Sequence, residues 1–91
     1  MREIVLSNQF KKDLKKAVKR GYPIDRLDRI VTRIAAGETL EPQYRVHPLT
    51  GNYSGFLECH IEPDWLLIYR LEEDNVYLFL FRTGTHSDVF E

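Results

Sequence analysis

Two long apolar runs near the C-terminal end, Trp65 to Leu71 and Val76 to Phe81, restrict the fold of this chain more than any other feature. Each run is almost continuously apolar rather than alternating, which is typical of strands that are covered on both faces. Glu73-Asp74-Asn75 between them is a turn signal, so the two runs predict an antiparallel hairpin at the centre of a sheet. A further strand, Phe56 to Ile61, precedes them across a second turn signal, Glu62-Pro63-Asp64.

The N-terminal half predicts a short strand followed by two helices. The strand covers Arg2 to Leu6, and Ser7 is a good N-cap for a first helix that ends at Gly21. Apolar residues at helical spacing predict its buried stripe, namely Phe10, Leu14 and Val18. A second helix begins near Pro23, ends near Gly37 and carries its own apolar stripe: Ile24, Leu27, Ile30, Val31 and Ile34. The element order β-α-α-β-β-β predicts an α+β fold, with an N-terminal strand and a helical hairpin packed on a small, mainly antiparallel sheet.

Composition limits the class of protein. Ninety-one residues with 43% hydrophobic side chains suit a single globular domain over residues 1–91. A lone cysteine, Cys59, cannot form an intrachain disulfide, and no apolar run reaches the roughly 18 residues of a transmembrane helix. The charged N-terminus lacks the apolar stretch of a signal peptide, so we expect a cytoplasmic protein without a membrane partner.

The net charge of −1 conceals two halves of opposite sign. Residues 1–46 hold 11 Lys/Arg against 6 Asp/Glu, whereas residues 47–91 hold 2 against 8 together with all three histidines. This asymmetry argues against a uniform polyanion-binding surface and indicates two regions with different roles.

The three histidines are placed beside predicted strands. His47 precedes the second strand, His60 lies near the end of that strand, and His86 follows the last strand. Because the second and third strands form a hairpin, we expect His60 and Asp64 to meet at its tip. An imidazole beside a carboxylate is suited to proton transfer, since the carboxylate orients the ring and stabilises the imidazolium. The residues alone leave three interpretations open: an acid–base site, a zinc site or structural histidines.

Two segments and the start of the first helix carry a family resemblance. The first segment contains His47-Pro48-Leu49, Gly51, Gly55-Phe56 and Glu58-Cys59-His60-Ile61-Glu62-Pro63-Asp64-Trp65-Leu66-Leu67-Ile68-Tyr69. The second is Arg82-Thr83-Gly84-Thr85-His86-Ser87-Asp88-Val89-Phe90, and the helix begins with Phe10-Lys11-Lys12-Asp13-Leu14. Across essentially the whole chain this sequence resembles the YafQ-type toxins of the RelE/ParE superfamily of bacterial toxin–antitoxin systems.

The resemblance implies a RelE-like fold and a ribosome-dependent endoribonuclease that cuts the mRNA codon in the A site and so inhibits translation. It implies chemistry without a metal or other cofactor, in which the 2′-hydroxyl attacks the adjacent phosphate to leave a 2′,3′-cyclic phosphate and a 5′-hydroxyl. The positions that match the residues needed for activity are His47, His60, Asp64, Trp65, His86 and Phe90. On this basis we expect His86 to be the general acid, His47 or His60 to be the base or a cation facing the phosphate, and Asp64 to orient an imidazole.

The two matching aromatic residues have further interpretations. Phe90 would stack on or position a base, which is a common use of aromatic rings in single-stranded RNA recognition. Trp65 would position the substrate, and plain core packing is the alternative for both rings.

One position departs from the family pattern. The family commonly has an arginine between the positions of Phe56 and Glu58, where this chain has Leu57. A guanidinium there would bind phosphate or stabilise transition-state charge. Leu57 therefore indicates either an attenuated toxin or a core residue that lies beside Cys59 and Ile61 on one strand face.

The predicted first helix carries most of the positive charge. Because the cutting face is acidic apart from its histidines, we expect basic residues here to contact ribosomal RNA, a solvated helix face being the alternative. These candidates are Lys11, Lys12, Lys15, Lys16, Lys19 and Arg20. The same residues could meet an acidic antitoxin segment that folds on binding.

The expected partners are therefore a cognate antitoxin of DinJ/RelB type, the 70S ribosome and its mRNA, with operator DNA reached only through the antitoxin complex. Two other functions stay open: a non-cleaving inhibitor of DNA gyrase, as in the ParE branch, and an attenuated toxin that acts mainly as an antitoxin-bound corepressor. Three histidines and Asp64 favour the nuclease, because a pure inhibitor needs no proton-transfer groups.

Overall fold

A computed structural model of the chain describes residues 1–90, which form a five-stranded sheet and three helices. The strands are β1 Glu3–Leu6, β2 His47–Pro48, β3 Leu57–Glu62, β4 Trp65–Glu72 and β5 Tyr77–Gly84, and the helices are α1 Asn8–Lys19, α2 Ile24–Ala35 and α3 His86–Phe90. Two 3₁₀ turns, Pro42–Tyr44 and Gly51–Tyr53, flank β2. The predicted α+β class is confirmed.

The strands lie in the order β1-β5-β4-β3-β2. The pairs β2–β3, β3–β4 and β4–β5 are antiparallel, whereas β1 runs parallel to β5, with Glu3 opposite Tyr77. Leu66, Leu67 and Ile68 of β4 are fully buried. This burial on both faces confirms that the apolar run in β4 is a central strand.

The helices α1 and α2 pack on one face of the sheet. Residues of α2 at the predicted positions face the core: Leu27, Ile30, Val31 and Ile34 are buried and Ile24 packs against them. None of the described helices combines the length and the apolar character that crossing a bilayer requires.

The predicted stripe of α1 was wrong at one position. Val18 is 58% exposed, and the buried residues of the helix are Phe10, Asp13 and Ala17. The helix is turned toward Asp13 because that carboxylate accepts hydrogen bonds from the Arg82 guanidinium, at 2.8 Å, and from the Thr83 N–H, at 3.1 Å. The Asp13–Arg82 ion pair therefore lies on the inward face of the helix, and Val18 lies outside that face.

Two short elements differ from the sequence prediction. His47, expected in a loop, belongs to β2, which extends the sheet by pairing with Leu57 and Glu58 of β3. The residues expected as a plain tail form α3, which begins with a reciprocal cap: the Asp88 N–H donates to Thr85 Oγ1 and the Thr85 N–H donates to Asp88 Oδ2. These two elements place His47 and His86 in defined positions.

Candidate active site

One buried carboxylate, that of Glu58, joins two of the three histidines. His47 lies directly opposite Glu58 in the β2–β3 pairing, and its Nε2 is 2.9 Å from Glu58 Oε1. His60 is two residues beyond Glu58 on the same strand, so it lies on the same face, and its Nε2 is 3.3 Å from the same oxygen. The Glu58 side chain is 5% exposed, whereas those of His60 and His47 are 16% and 48% exposed. Solvent exposure therefore increases from Glu58 to His60 and then to His47.

The second nitrogen of each imidazole faces a backbone carbonyl. His47 Nδ1 lies 3.3 Å from Pro48 O, and His60 Nδ1 lies 3.2 Å from Pro63 O. Each ring is therefore oriented by a carboxylate oxygen on one side and a carbonyl oxygen on the other.

Asp64, expected to orient an imidazole, makes no hydrogen bond to an imidazole ring within residues 1–90. Its Oδ1 accepts a hydrogen bond from the backbone N–H of His86 at 3.2 Å. The carboxylate at the tip of the β3–β4 hairpin thereby ties the start of α3 to the turn whose Pro63 carbonyl holds His60. The carboxylate beside the imidazoles is instead Glu58, which the sequence prediction missed although its spacing from His60 is that of one strand face.

His86 is exposed at the first position of α3, and Phe90 follows one turn later. Their rings lie 4.9 Å apart, centre to centre. Phe90 also packs edge to face against Tyr53, at 5.2 Å, and the Tyr53 hydroxyl donates to Val89 O at 3.2 Å. An aromatic cluster therefore supports the helix that presents the third imidazole.

A third carboxylate, that of Asp88, fixes α3 against α1. Its oxygens accept hydrogen bonds from Lys16 Nζ at 3.1 Å and from the Arg20 guanidinium. The Arg20 guanidinium holds the pKa of Asp88 well below its usual range, against the opposing effect of burial. At Gly84 a Cβ would lie 2.9 Å from Asp88 Cβ, so glycine is required where β5 passes this helix. His86 thus stands on a helix whose position is set by charge pairing as well as by packing.

Trp65, expected to position the substrate, lies in the core. It is 2% exposed, its Nε1–H donates to Thr83 Oγ1 at 2.9 Å, and its ring packs edge to face on Tyr22. The indole is therefore too buried to contact a substrate directly, which favours the core-packing interpretation of this ring. Its contribution is to hold β4 and β5 in place beneath the site.

Cys59, between Glu58 and His60, faces the opposite side of β3 and is fully buried. Burial raises the pKa of its thiol to about 12, so the reactive thiolate is not formed near neutral pH. Cys59 is therefore not a candidate nucleophile at this site, and the candidate reactive groups are the imidazoles and the carboxylate.

The same cluster has the composition of a metal site. His47, Glu58 and His60 offer ligand atoms that lie within 4.8 Å of one another. Imidazole nitrogen and carboxylate oxygen suit zinc and copper. Glu58, rather than Asp64 or His86, completes this set.

Leu57, at the position where the family commonly has arginine, packs against the hydrophobic core with Cys59 and Ile61. It therefore lies on the strand face opposite Glu58 and His60. The core interpretation of this residue is confirmed.

The basic residues of α1 fall into two groups. Lys16 and Arg20 are paired with Asp88, whereas Lys11, Lys12, Lys15 and Lys19 are exposed and make no side-chain hydrogen bond within residues 1–90. Four lysines thus present uncompensated charge on the outer side of the helix.

Comparison with known proteins identifies the family. The sequence model of the family described as bacterial toxin of type II toxin–antitoxin system, YafQ, matches residues 2–91. The mRNA interferase toxin YafQ of Escherichia coli strain K12 is 39% identical over 90 residues, which cover 98% of this chain and 96% of the relative.

Solved structures agree with this assignment. A metal-bound toxin from Helicobacter pylori superposes with a TM-score of 0.92 at 42% identity, over 99% of this chain and 100% of that chain. YafQ in the E. coli DinJ–YafQ complex superposes with a TM-score of 0.88 at 39% identity, over 100% of both chains. The chain therefore belongs to the YafQ family of toxins of bacterial type II toxin–antitoxin systems.

Proposed function

We propose that this protein is an mRNA endonuclease that cuts the codon in the ribosomal A site and so inhibits translation. The observation that carries the proposal is the Glu58 carboxylate with Nε2 of His47 and of His60 at 2.9 and 3.3 Å, on a sheet face whose hairpin tip also holds the start of α3. RNA cleavage needs two proton-transfer groups, and we assign them to the imidazoles of this cluster and of His86.

The proposed reaction needs no group from outside the chain. The 2′-hydroxyl oxygen attacks the adjacent phosphorus while its proton passes to a neutral imidazole, that of His47 or His60. The bond from phosphorus to the 5′ oxygen breaks, and that oxygen takes a proton from the imidazolium of His86. The products are a 2′,3′-cyclic phosphate and a 5′-hydroxyl, the base has gained one proton, and the acid has given one up.

Each side chain has a physical role in this scheme. Glu58 orients the imidazoles of His47 and His60, which lie within hydrogen-bond reach of its carboxylate. Asp64 acts through the backbone of His86, which it holds at the hairpin tip. Phe90, beside the His86 ring, would stack against a base of the codon.

The partners follow from the same proposal. The E. coli relative is found in a complex with DinJ, and we expect an antitoxin of that type to bind this chain. The four unpaired lysines of α1 are the candidate contacts to ribosomal RNA, and operator DNA would be reached only through the antitoxin. A ribosomal target would place the protein in the cytoplasm.

A bound metal would compete with this chemistry. The toxin from H. pylori is a metal-bound structure, and here His47, Glu58 and His60 could hold a transition metal. A metal on these nitrogens would remove the lone pair that accepts the 2′-hydroxyl proton. Cutting is therefore expected to persist in EDTA and to fall when zinc or copper is added.

The experiment uses ribosomes with a defined A-site codon, the same mRNA without ribosomes, and mapping of the new ends. We expect a cut within the A-site codon that leaves a 5′-hydroxyl, in EDTA, and no comparable cut in free mRNA. Absence of cutting on ribosomes would refute the proposal. Inhibition of gyrase supercoiling without RNA cleavage would instead support the non-cleaving alternative.

A further inference from the structure

A cleft of about 340 Å³ lies beside His60, along the part of β3 that β2 leaves unpaired. One wall is formed by Gln43, Tyr44 and Arg45, at and just after the first 3₁₀ turn. The other wall runs from His60 to Pro63. Because β2 pairs only with Leu57 and Glu58, the second wall is a strand edge that no other strand covers within residues 1–90.

The backbone of Arg45 is held in an unusual conformation at the mouth of this cleft. Its φ and ψ are 50° and 49°, the left-handed region in which a residue with a side chain is uncommon, and its N–H donates to Pro42 O at 3.0 Å. Glycine would adopt this backbone more readily. Strain of this kind is often found at functional sites, and here the chain carries a guanidinium at the strained position.

The side chain of Arg45 has no polar partner among residues 1–90, in contrast to most arginines of the chain. Six of the eight arginines make hydrogen bonds: Arg2 with Ile34, Arg20 with Asp88, Arg26 with Glu62, Arg33 with Glu38 and Glu41, Arg70 with Glu72, and Arg82 with Asp13. The other unpaired guanidinium, that of Arg29, lies on α2 and does not line the cleft. Arg45 is thus the unpaired arginine that borders His60.

The charge of the cleft is not cancelled by its acidic residue. Glu62 is the carboxylate among the lining residues, and its Oε2 accepts a hydrogen bond from Arg26 at 2.7 Å. The Arg45 guanidinium is therefore available to an anion that enters beside His60.

We propose that Arg45 is the phosphate-binding cation of this site and that the cleft holds the RNA nucleotide next to the cleaved phosphate. The inference rests on the proposed nuclease function. Attack by the 2′-oxygen builds negative charge on the phosphate oxygens, and a planar guanidinium can donate two hydrogen bonds to them. Leu57, at the position where the family commonly has arginine, is uncharged and lies on the core face of β3, so it cannot bind these oxygens. Tyr44 and Gln43 would present a ring and an amide to the nucleotide in the cleft.

The test is single-turnover cutting on ribosomes with a defined A-site codon, by the wild-type protein and by Arg45→Gly, Arg45→Lys and Arg29→Ala. Glycine keeps the left-handed backbone without strain, so Arg45→Gly removes the guanidinium and leaves the turn intact. Arg29→Ala removes an exposed arginine outside the cleft and is the matched control. Melting temperature and the pH dependence of the rate are measured for each variant.

We expect Arg45→Gly to cut about 10²-fold more slowly at saturating protein, a typical loss when one transition-state donor is removed. Arg45→Lys should recover part of the rate, Arg29→Ala should match the wild type, and the pH optimum should not move. Wild-type cutting by Arg45→Gly would overturn the inference, and so would a rate loss accompanied by a displaced pH optimum. Absence of cutting by the wild-type protein would instead defeat the nuclease function itself.

Discussion

His47 on β2 and Glu58 on β3 stand directly opposite each other, and 2.9 Å separates the imidazole Nε2 from the carboxylate Oε1. The same oxygen lies 3.3 Å from Nε2 of His60. A single buried carboxylate therefore orients two imidazoles. The pairing of a two-residue strand with β3 produces this arrangement.

Replacing Glu58 with glutamine keeps the shape of the side chain and removes its charge. The two imidazoles then lose the charged acceptor that orients them beside the substrate. We expect the maximal rate of mRNA cutting to fall about 10²-fold. Single-turnover cutting on ribosomes checks this, and cutting at the wild-type rate would mean that Glu58 does not act on the imidazoles.

Replacing Asp88 with asparagine should loosen α3 from α1. The pKa of Asp88 is depressed in the folded protein, chiefly by its hydrogen bond with Arg20. Its contribution to stability is therefore fully present above the unfolded pKa, near 4, and is lost as the pH falls through the lower folded value. We expect the variant to melt about 5 °C below the wild type at pH 7, with a gap that closes below about pH 4.

The measurement for Asp88→Asn is the melting temperature from pH 7 to pH 2, with the cutting rate at pH 7. The control is Asp28→Asn, because Asp28 is exposed on α2 and makes no side-chain hydrogen bond within the described residues. A melting gap that is constant with pH would contradict the charge pairing. An unchanged cutting rate would show that α3 does not need this anchor to present His86.

Replacing Leu57 with arginine should not create a more active enzyme. The side chain packs against the core on the face opposite His60, so the guanidinium would disturb packing without reaching the imidazoles. We expect a loss of about 1 kcal/mol in the free energy of unfolding, with little change in the cutting rate at saturation. Urea denaturation and single-turnover cutting test this, with Leu57→Met as the apolar control. A large gain in rate would restore the attenuated-toxin interpretation.

Removing two exposed lysines of α1 should weaken the dependence of ribosome binding on salt. Lys11 and Lys15 lie one turn apart and are exposed, unlike Lys16, which is paired with Asp88. In the double alanine variant, the slope of log affinity against log salt should fall by about 2, because each lysine would neutralise one phosphate of the ribosomal RNA. The concentration for half-maximal cutting is measured across a KCl series, with Arg29→Ala as control. An unchanged slope would identify these lysines as a solvated face.

Local patterns predicted most of the fold. The stripe of α2 and the apolar run of β4 were recognisable because their periodicity reports burial directly. In α1 the pattern failed at Val18, because the true inward residue is Asp13, whose partner Arg82 lies 69 residues further along the chain. No local signal carries such a pairing.

In the candidate site, too, the sequence predicted some residues and missed one that depends on a tertiary contact. The family resemblance supplied His47, His60 and His86, but not the carboxylate that joins two of them. Glu58 was missed because a two-residue strand has no periodicity of its own, and the register of β2 against β3 is a tertiary property. The start of α3 was within reach, since Thr85 and Asp88 have the spacing of a capping box.

The acid–base role of the histidine cluster is tested most directly by the single-turnover rate of mRNA cutting in the A site. His47→Ala, His60→Ala and His86→Ala are compared with the wild type, each with its melting temperature. We expect every variant to lose about 10²-fold or more in rate while its melting temperature stays close to that of the wild type. Cutting at the wild-type rate by all three variants would contradict the role of these imidazoles.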